Sequence, residues 1–215
     1  MILFLISLWI AGQFSRFYYS KTGNDTVKGE FYKPVSGAMS FIIDDPIHQV
    51  ITYSADTMIV YYPDEKKAFK LRSLTNISQK NRVATDLKES IKTLKKAGYI
   101  FLKKENKQDT IASYWIHEKL KTTLKIVYDK RGRVFELTVQ DQKGKPVYST
   151  KAMNYVMFND SIFFPEKVIT VTSIDTETFL FEDVRLVAED SLPDIIKHPI
   201  LPKDVSTEIK GFEEK

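Results

Sequence analysis

The 215-residue chain contains no cysteine. Disulfides, thiolate metal sites and a cysteine nucleophile are thereby excluded. Histidine is scarce. His48, His117 and His198 are the only three, and no two stand at a spacing that would put both rings on one metal ion. The eight glycines are scattered singly, so neither a P-loop nor a G-x-G-x-x-G phosphate cradle exists. No G-x-S-x-G elbow presents a serine nucleophile. Charge of one sign is also lacking. The 32 basic and 28 acidic residues leave a net charge of +4, spread along the chain without a compact basic patch, so nucleic acid is not an expected partner. Carboxylate pairs occur at Asp44–Asp45, Asp64–Glu65, Glu189–Asp190 and Glu213–Glu214. Each sits at an expected turn or terminus, whereas a catalytic pair needs a desolvated cleft.

Long apolar runs are missing too. Residues 2–11 form the only continuous one, too short for a bilayer span of about 20 residues. Its length suits a secretory signal, with Gly12 as a small residue for cleavage, although no Lys or Arg precedes it. The same run suits a buried N-terminal helix or strand. The chain is therefore divided into residues 1–12, a signal peptide or displaced N-terminal helix; residues 13–190, a single domain; and residues 191–215, an irregular C-terminal tail with Pro193, Pro199 and Pro202.

What is present is apolar and strand-like. Hydrophobic residues make up 43% of the chain and aromatic ones 13%, with 14 Phe and 11 Tyr, enough for a sizeable core. Short extended segments follow one another from residue 14 to residue 72, each stopped by proline or a small polar turn. Met39, Phe41 and Ile43 point one way by the two-residue period. Residues 48–53 and 57–62 form a hairpin around Ser54-Ala-Asp56.

The rhythm then changes to helical spacing. Apolar residues fall at 83, 87, 91 and 94, opposite Lys88, Lys92, Lys95 and Lys96. Gly98 stands where a left-handed cap is wanted. Strand rhythm returns from residue 99 to residue 186, with two glycine-bearing hairpin turns at Asp129-Lys-Arg-Gly132 and Asp141-Gln-Lys-Gly144. The sum is a mainly β protein of about ten strands, with one helix after the sixth. A sheet of that size with one main helix either closes on itself or leaves part of its apolar inner surface to a ligand.

The stretches Gly29-Glu-Phe-Tyr-Lys-Pro34, Met39-Ser-Phe41, Asp45-Pro46, Gln49-Val-Ile51 and Asp56-Thr-Met-Ile-Val-Tyr-Tyr-Pro63 resemble the outer-membrane lipoprotein carrier family (LolA-type). The match covers residues 14–70 by motif, and later elements fit in order. The resemblance implies an incomplete antiparallel β-barrel with a helical lid over an apolar cavity, and a periplasmic carrier without catalytic residues or cofactor. Such carriers shield the acyl chains of lipoproteins between an inner-membrane transporter and an outer-membrane receptor.

Carried onto this chain, the resemblance makes Met39, Phe41 and Ile43 one set of cavity residues. Ile51, Met58 and Val60 form a second set, whose facing the sequence leaves open. Leu87, Ile91 and Leu94 become the lid. Lys33 stands where the family has an arginine that holds the lid, and an ammonium lacks the planar fork of a guanidinium. Two rival readings remain: an envelope sensor or scaffold that binds a lipoprotein or envelope protein with the same half-barrel, and an envelope enzyme, for which no nucleophile or acid pair is visible.

Overall fold

The computed structural model describes residues 8–35, 39–53, 57–72, 87–160, 162–197 and 206–211. Six strands come first: β1 (Leu8–Ser20), β2 (Gly23–Pro34), β3 (Ser40–Asp45), β4 (Gln49–Tyr53), β5 (Thr57–Tyr62) and β6 (Lys67–Arg72). Helix α1 (Leu87–Lys96) follows. After it come β7 (Ile100–Lys107), β8 (Thr110–His117), β9 (Thr122–Asp129), β10 (Val134–Gln140), β11 (Pro146–Met157), β12 (Phe163–Thr172) and β13 (Asp175–Ala188). A 3-10 turn (Glu189–Ser191), helix α2 (Asp194–Lys197) and β14 (Ser206–Gly211) complete the order.

The strands form an open sheet in the order β14-β6-β5-β4-β3-β2-β1-β13-β12-β11-β10-β9-β8-β7. Neighbours from β2 to β6 and from β7 to β13 are antiparallel. β14 joins β6 in parallel. The fold is thus mainly β and antiparallel as expected, but the described residues form fourteen strands rather than about ten. The tail is not irregular throughout: it supplies α2 and β14. Residues 8–12, read from sequence as a signal, a helix or a buried strand, are strand, with Ile10 and Ala11 buried. Their apolar run is read equally by a buried strand and a signal core, since both need only continuous hydrophobicity.

The chain divides into two compact units. The first comprises residues 1–15, 27–82 and 181–215, and the second residues 16–26 and 83–180. β1, β2 and β13 contribute to both.

In the first unit the register sorts the side chains onto two faces. Phe31 opposes Phe41, Phe41 opposes Ile51, Ile51 opposes Val60 and Val60 opposes Phe69. Directly opposed residues share a face. The other face carries Tyr32, Ile42, Val50 and Tyr61, and the chain covers it with its own segment. Leu192, Ile195 and Ile196 pack there with Trp9, Ala11 and Val187.

In the second unit α1 covers the sheet. Leu94, Tyr99, Trp115, Leu124, Ile126 and Val134 form a buried cluster, against which Leu87, Ile91, Ala97 and Leu137 pack. The helix has the i, i+4, i+7 apolar stripe that such packing requires. Gly98, at φ +87°, ends it in the left-handed region. The Gly98 N–H bonds to the Lys95 carbonyl, and the Tyr99 N–H to that of Leu94. The β9–β10 and β10–β11 hairpins close with the same kind of turn. Asp129 Oδ1 accepts the N–H groups of Arg131 and Arg133 at 2.9 and 3.0 Å, and Asp141 Oδ1 accepts those of Lys143 and Lys145, both at 2.9 Å. Gly132 and Gly144 take positive φ to close these turns.

Candidate functional site

β3, β4 and β5 place all six cavity candidates on one face of the first unit. Phe41, Ile51 and Val60 are register partners. Met39 and Ile43 lie two residues either side of Phe41, and Met58 two before Val60, so alternation puts them on the same side. The facing that the sequence left open is therefore fixed by the register. Met39, Phe41, Ile43 and Val60 are buried, while Ile51 and Met58 are half-buried.

This face bends inward. Phe14 on β1 meets Phe41 on β3 edge to face, with centroids 4.8 Å apart, although β2 runs between those strands. Phe31 on β2 meets Phe181 on β13 in the same way at 4.9 Å, across β1. Strands two apart are separated by roughly 9–10 Å of backbone, so the rings converge as side chains do inside a bend.

Gly12 makes the second contact possible. A Cβ there would stand 2.9 Å from the Phe31 ring and 2.5 Å from the Glu182 carbonyl oxygen. Gly29 serves the first element of the motif. The β2–β3 register slips between Lys28 and Gly29, and a Cβ on Gly29 would lie 2.0 Å from the Ile42 carbonyl oxygen. A bulge that brings backbones this close demands glycine.

Lys33 shares the face of Phe31, two residues on, and is buried. Its ammonium donates to the carbonyls of Pro34 at 3.2 Å and Val35 at 3.5 Å. A charge is tolerated there only because polar groups surround it.

The lid candidates Leu87, Ile91 and Leu94 lie over the Trp115–Leu124–Ile126 cluster of the second unit. The inner face of that unit changes character along one row of register partners. It runs Ser113, Ile126, Leu137, Thr150, Thr170 and Glu177. Beyond Leu137 the row is hydroxylic: Thr150 and Thr170 are buried and 3.2 Å apart, and Thr150 donates to the Tyr148 hydroxyl at 2.9 Å. It ends in the Arg16–Glu177 ion pair. Sequence reasoning did not find this polar end, because isolated threonines in strands look like ordinary strand residues.

The opposite side of the second unit carries Tyr155, whose hydroxyl donates to the Val134 carbonyl at 2.5 Å. Burial pushes its phenol well above the usual range. At Asp129 burial raises the carboxyl, but the Arg133 guanidinium, at 2.6 Å, and the two turn N–H groups outweigh it and hold it below the usual carboxylate range.

His117 and His48 make local contacts. His117 Nδ1 accepts the Leu120 N–H at 3.2 Å, and its ring stands edge-on to Tyr99 at 5.1 Å. His48 lies 3.3 Å from exposed Asp64, and His198 is outside the described residues. Among the described residues no three His, Asp or Glu side chains gather as a metal site, and no helix is long and apolar enough to cross a membrane.

No protein-family model and no curated protein matches the sequence. Solved structures do. A domain described as an outer membrane lipoprotein-sorting protein from Vibrio parahaemolyticus superposes with a TM-score of 0.61 at 14% identity, covering 90% of this chain and 91% of that one. A LolA superfamily protein from Nitrosomonas europaea gives 0.54 at 13% identity over 94% and 92%. A DUF1329 family protein from Desulfovibrio piger gives 0.60 at 14% identity over 93% of each chain. The resemblance to LolA-type proteins seen in the sequence thus extends to the fold.

Proposed function

We propose that the protein is a periplasmic, non-enzymatic carrier that holds the acyl chains of lipoproteins, or of other lipids, against the concave aromatic face of its first unit. The observation that carries this reading is the convergence of Phe14, Phe31, Phe41 and Phe181 on the face that also bears Met39, Ile43, Ile51, Met58 and Val60.

Removing an acyl chain from water is worth about 0.8 kcal/mol per methylene, so the face needs area rather than specific bonds. The rings touch each other at their edges, worth only about 1 kcal/mol per pair beyond burial. Parting them to admit a flexible chain exchanges one apolar contact for another. Methionines adapt to chains of varied shape. Lys33 puts an ammonium at the end of this face, where the family has its lid-holding arginine. Leu87, Ile91 and Leu94 of α1 take the place that the resemblance gives to the lid, and what they cover is the Trp115–Leu124 cluster of their own unit. An inner-membrane transporter and an outer-membrane receptor are the partners that this role requires.

The test is binding of a fluorescent fatty acid to the purified protein. Saturable binding is expected, and Phe41→Glu should weaken it by about 3 kcal/mol, because a carboxylate would be buried where the chain lies. Absence of probe binding to the native protein, or undiminished binding by the variant, overturns the carrier reading. A stable complex with an envelope protein in the absence of any lipid would favour the scaffold role instead.

A further inference from the structure

One corner of the second unit gathers apolar residues that stay exposed, although one of them, Phe101, sets its ring edge-on to the core residue Trp115 at 5.3 Å. β7 is the edge strand of the sheet. It opens with Ile100, Phe101 and Leu102, which are 55%, 50% and 57% exposed. Leu120, in the turn between β8 and β9, is 63% exposed. The same corner holds both, because Ile100 opposes Ile116 on β8 and the turn follows directly after His117. Three successive exposed apolar residues on a strand with only one neighbouring strand among the described residues are a liability that proteins normally remove.

The details of the edge argue about what meets it. The β7–β8 register slips between Phe101 and Lys103, which leaves Leu102 as an unpaired bulge residue. A bulge breaks the even row of N–H and C=O groups that an added strand needs. The edge is therefore built against strand pairing while its side chains stay greasy.

Charge surrounds it. The C-terminal end of α1 contributes exposed Lys95 and Lys96, and Gly98 beside His117 ties that end to the β8–β9 turn. The turn contributes exposed Lys119 and Lys121 on either side of Leu120, against Glu118. On β7 itself Lys103 is neutralised by Glu105 at 2.7 Å, and Lys104 remains exposed. Apolar tips set among ammonium groups suit a surface that is greasy below and anionic above.

We infer that this corner, formed by the end of α1, the start of β7 and the β8–β9 turn, docks the protein onto anionic lipid bilayers. Ile100, Phe101, Leu102 and Leu120 dip into the headgroup boundary, and the lysines meet the lipid phosphates. The inference uses no residue of the aromatic face and holds whether or not that face carries acyl chains.

Co-sedimentation of the full chain with phosphatidylglycerol–phosphatidylcholine vesicles, and with pure phosphatidylcholine vesicles, tests it. Binding to the anionic vesicles is expected to be at least about tenfold stronger and to fall with added salt. The double variant Leu102→Glu/Leu120→Glu should lose about tenfold, as should Lys119→Glu/Lys121→Glu. All these positions are exposed, so circular dichroism and thermal melting should match the native protein, and the fatty-acid probe should still bind if the carrier reading is right. Equal partition onto both vesicle types, or folded variants that sediment like the native chain, overturns the inference. So does a dimer in solution that Leu102→Glu dissociates, since a second copy would then be what covers the corner.

Discussion

The two units bury apolar surface in different ways. The second covers its sheet with a helix from its own sequence, and Leu94 fits into a cluster with Trp115, Leu124 and Ile126. Where that cover stops, the inner face turns to threonine hydroxyls and an ion pair. The first unit covers one face with Leu192 and Ile196, and among the described residues its other face carries aromatic rings that meet across intervening strands. The difference teaches where an apolar guest could lodge. A face closed by a dedicated element, or lined by hydroxyls, has little to offer a lipid. A face lined by rings that meet edge to face can exchange those contacts for one with a lipid.

This contrast can be broken experimentally, and the chain carries a reporter in each region. Trp9 belongs to the first unit and Trp115 to the second, and they are the only two tryptophans. The largest effect is expected from Leu94→Ala, which opens a cavity under α1 and should cost about 3 kcal/mol in urea unfolding followed at Trp115. Next, Gly12→Ala pushes a methyl group against the Glu182 carbonyl and the Phe31 ring. It should cost about 2 kcal/mol, with the first change at Trp9.

A smaller loss, about 1 kcal/mol near neutral pH, is expected from Asp129→Asn, which removes the charge facing Arg133. Its pH signature has a definite sign. The Asp129 carboxyl is held lower in the folded state than in the unfolded chain. Its contribution is therefore complete above the ordinary carboxylate range and disappears as pH falls through the lower folded value. The variant should lose the part of acid destabilisation that this group supplies, as a pH series of melting temperatures would reveal. The smallest effect belongs to Trp9→Phe. Trp9 Nε1 is buried without a hydrogen-bond partner among the described residues, so removing the donor should change stability by less than about 0.5 kcal/mol. A large loss would mean that the indole is needed for its bulk.

Local chemistry made much of the fold legible. The hairpin turns at Asp129 and Asp141 announce themselves by an aspartate three residues before a glycine. α1 announces itself by its stripe and by Gly98. The six residues Met39, Phe41, Ile43, Ile51, Met58 and Val60 were singled out from alternation and resemblance, but which way the second set points depends on strand register, and that is set by long-range pairing. The polar end of the second unit was invisible for the same reason: Thr150, Thr170 and Glu177 become neighbours only when three strands align. β14 left almost no trace, since Ser206-Thr-Glu-Ile-Lys-Gly211 has a single large apolar residue, and parallel pairing needs no turn nearby to signal it.

That last strand has a temporal consequence. Ser206–Gly211 finds Lys67–Arg72 across roughly 140 residues of chain, a pairing of the most distant and slowest kind. During synthesis from the N-terminus, β6 waits for this partner until the residues between them have been made. For that interval the nascent molecule has a sticky border, which a holding factor must guard or a neighbouring copy can capture.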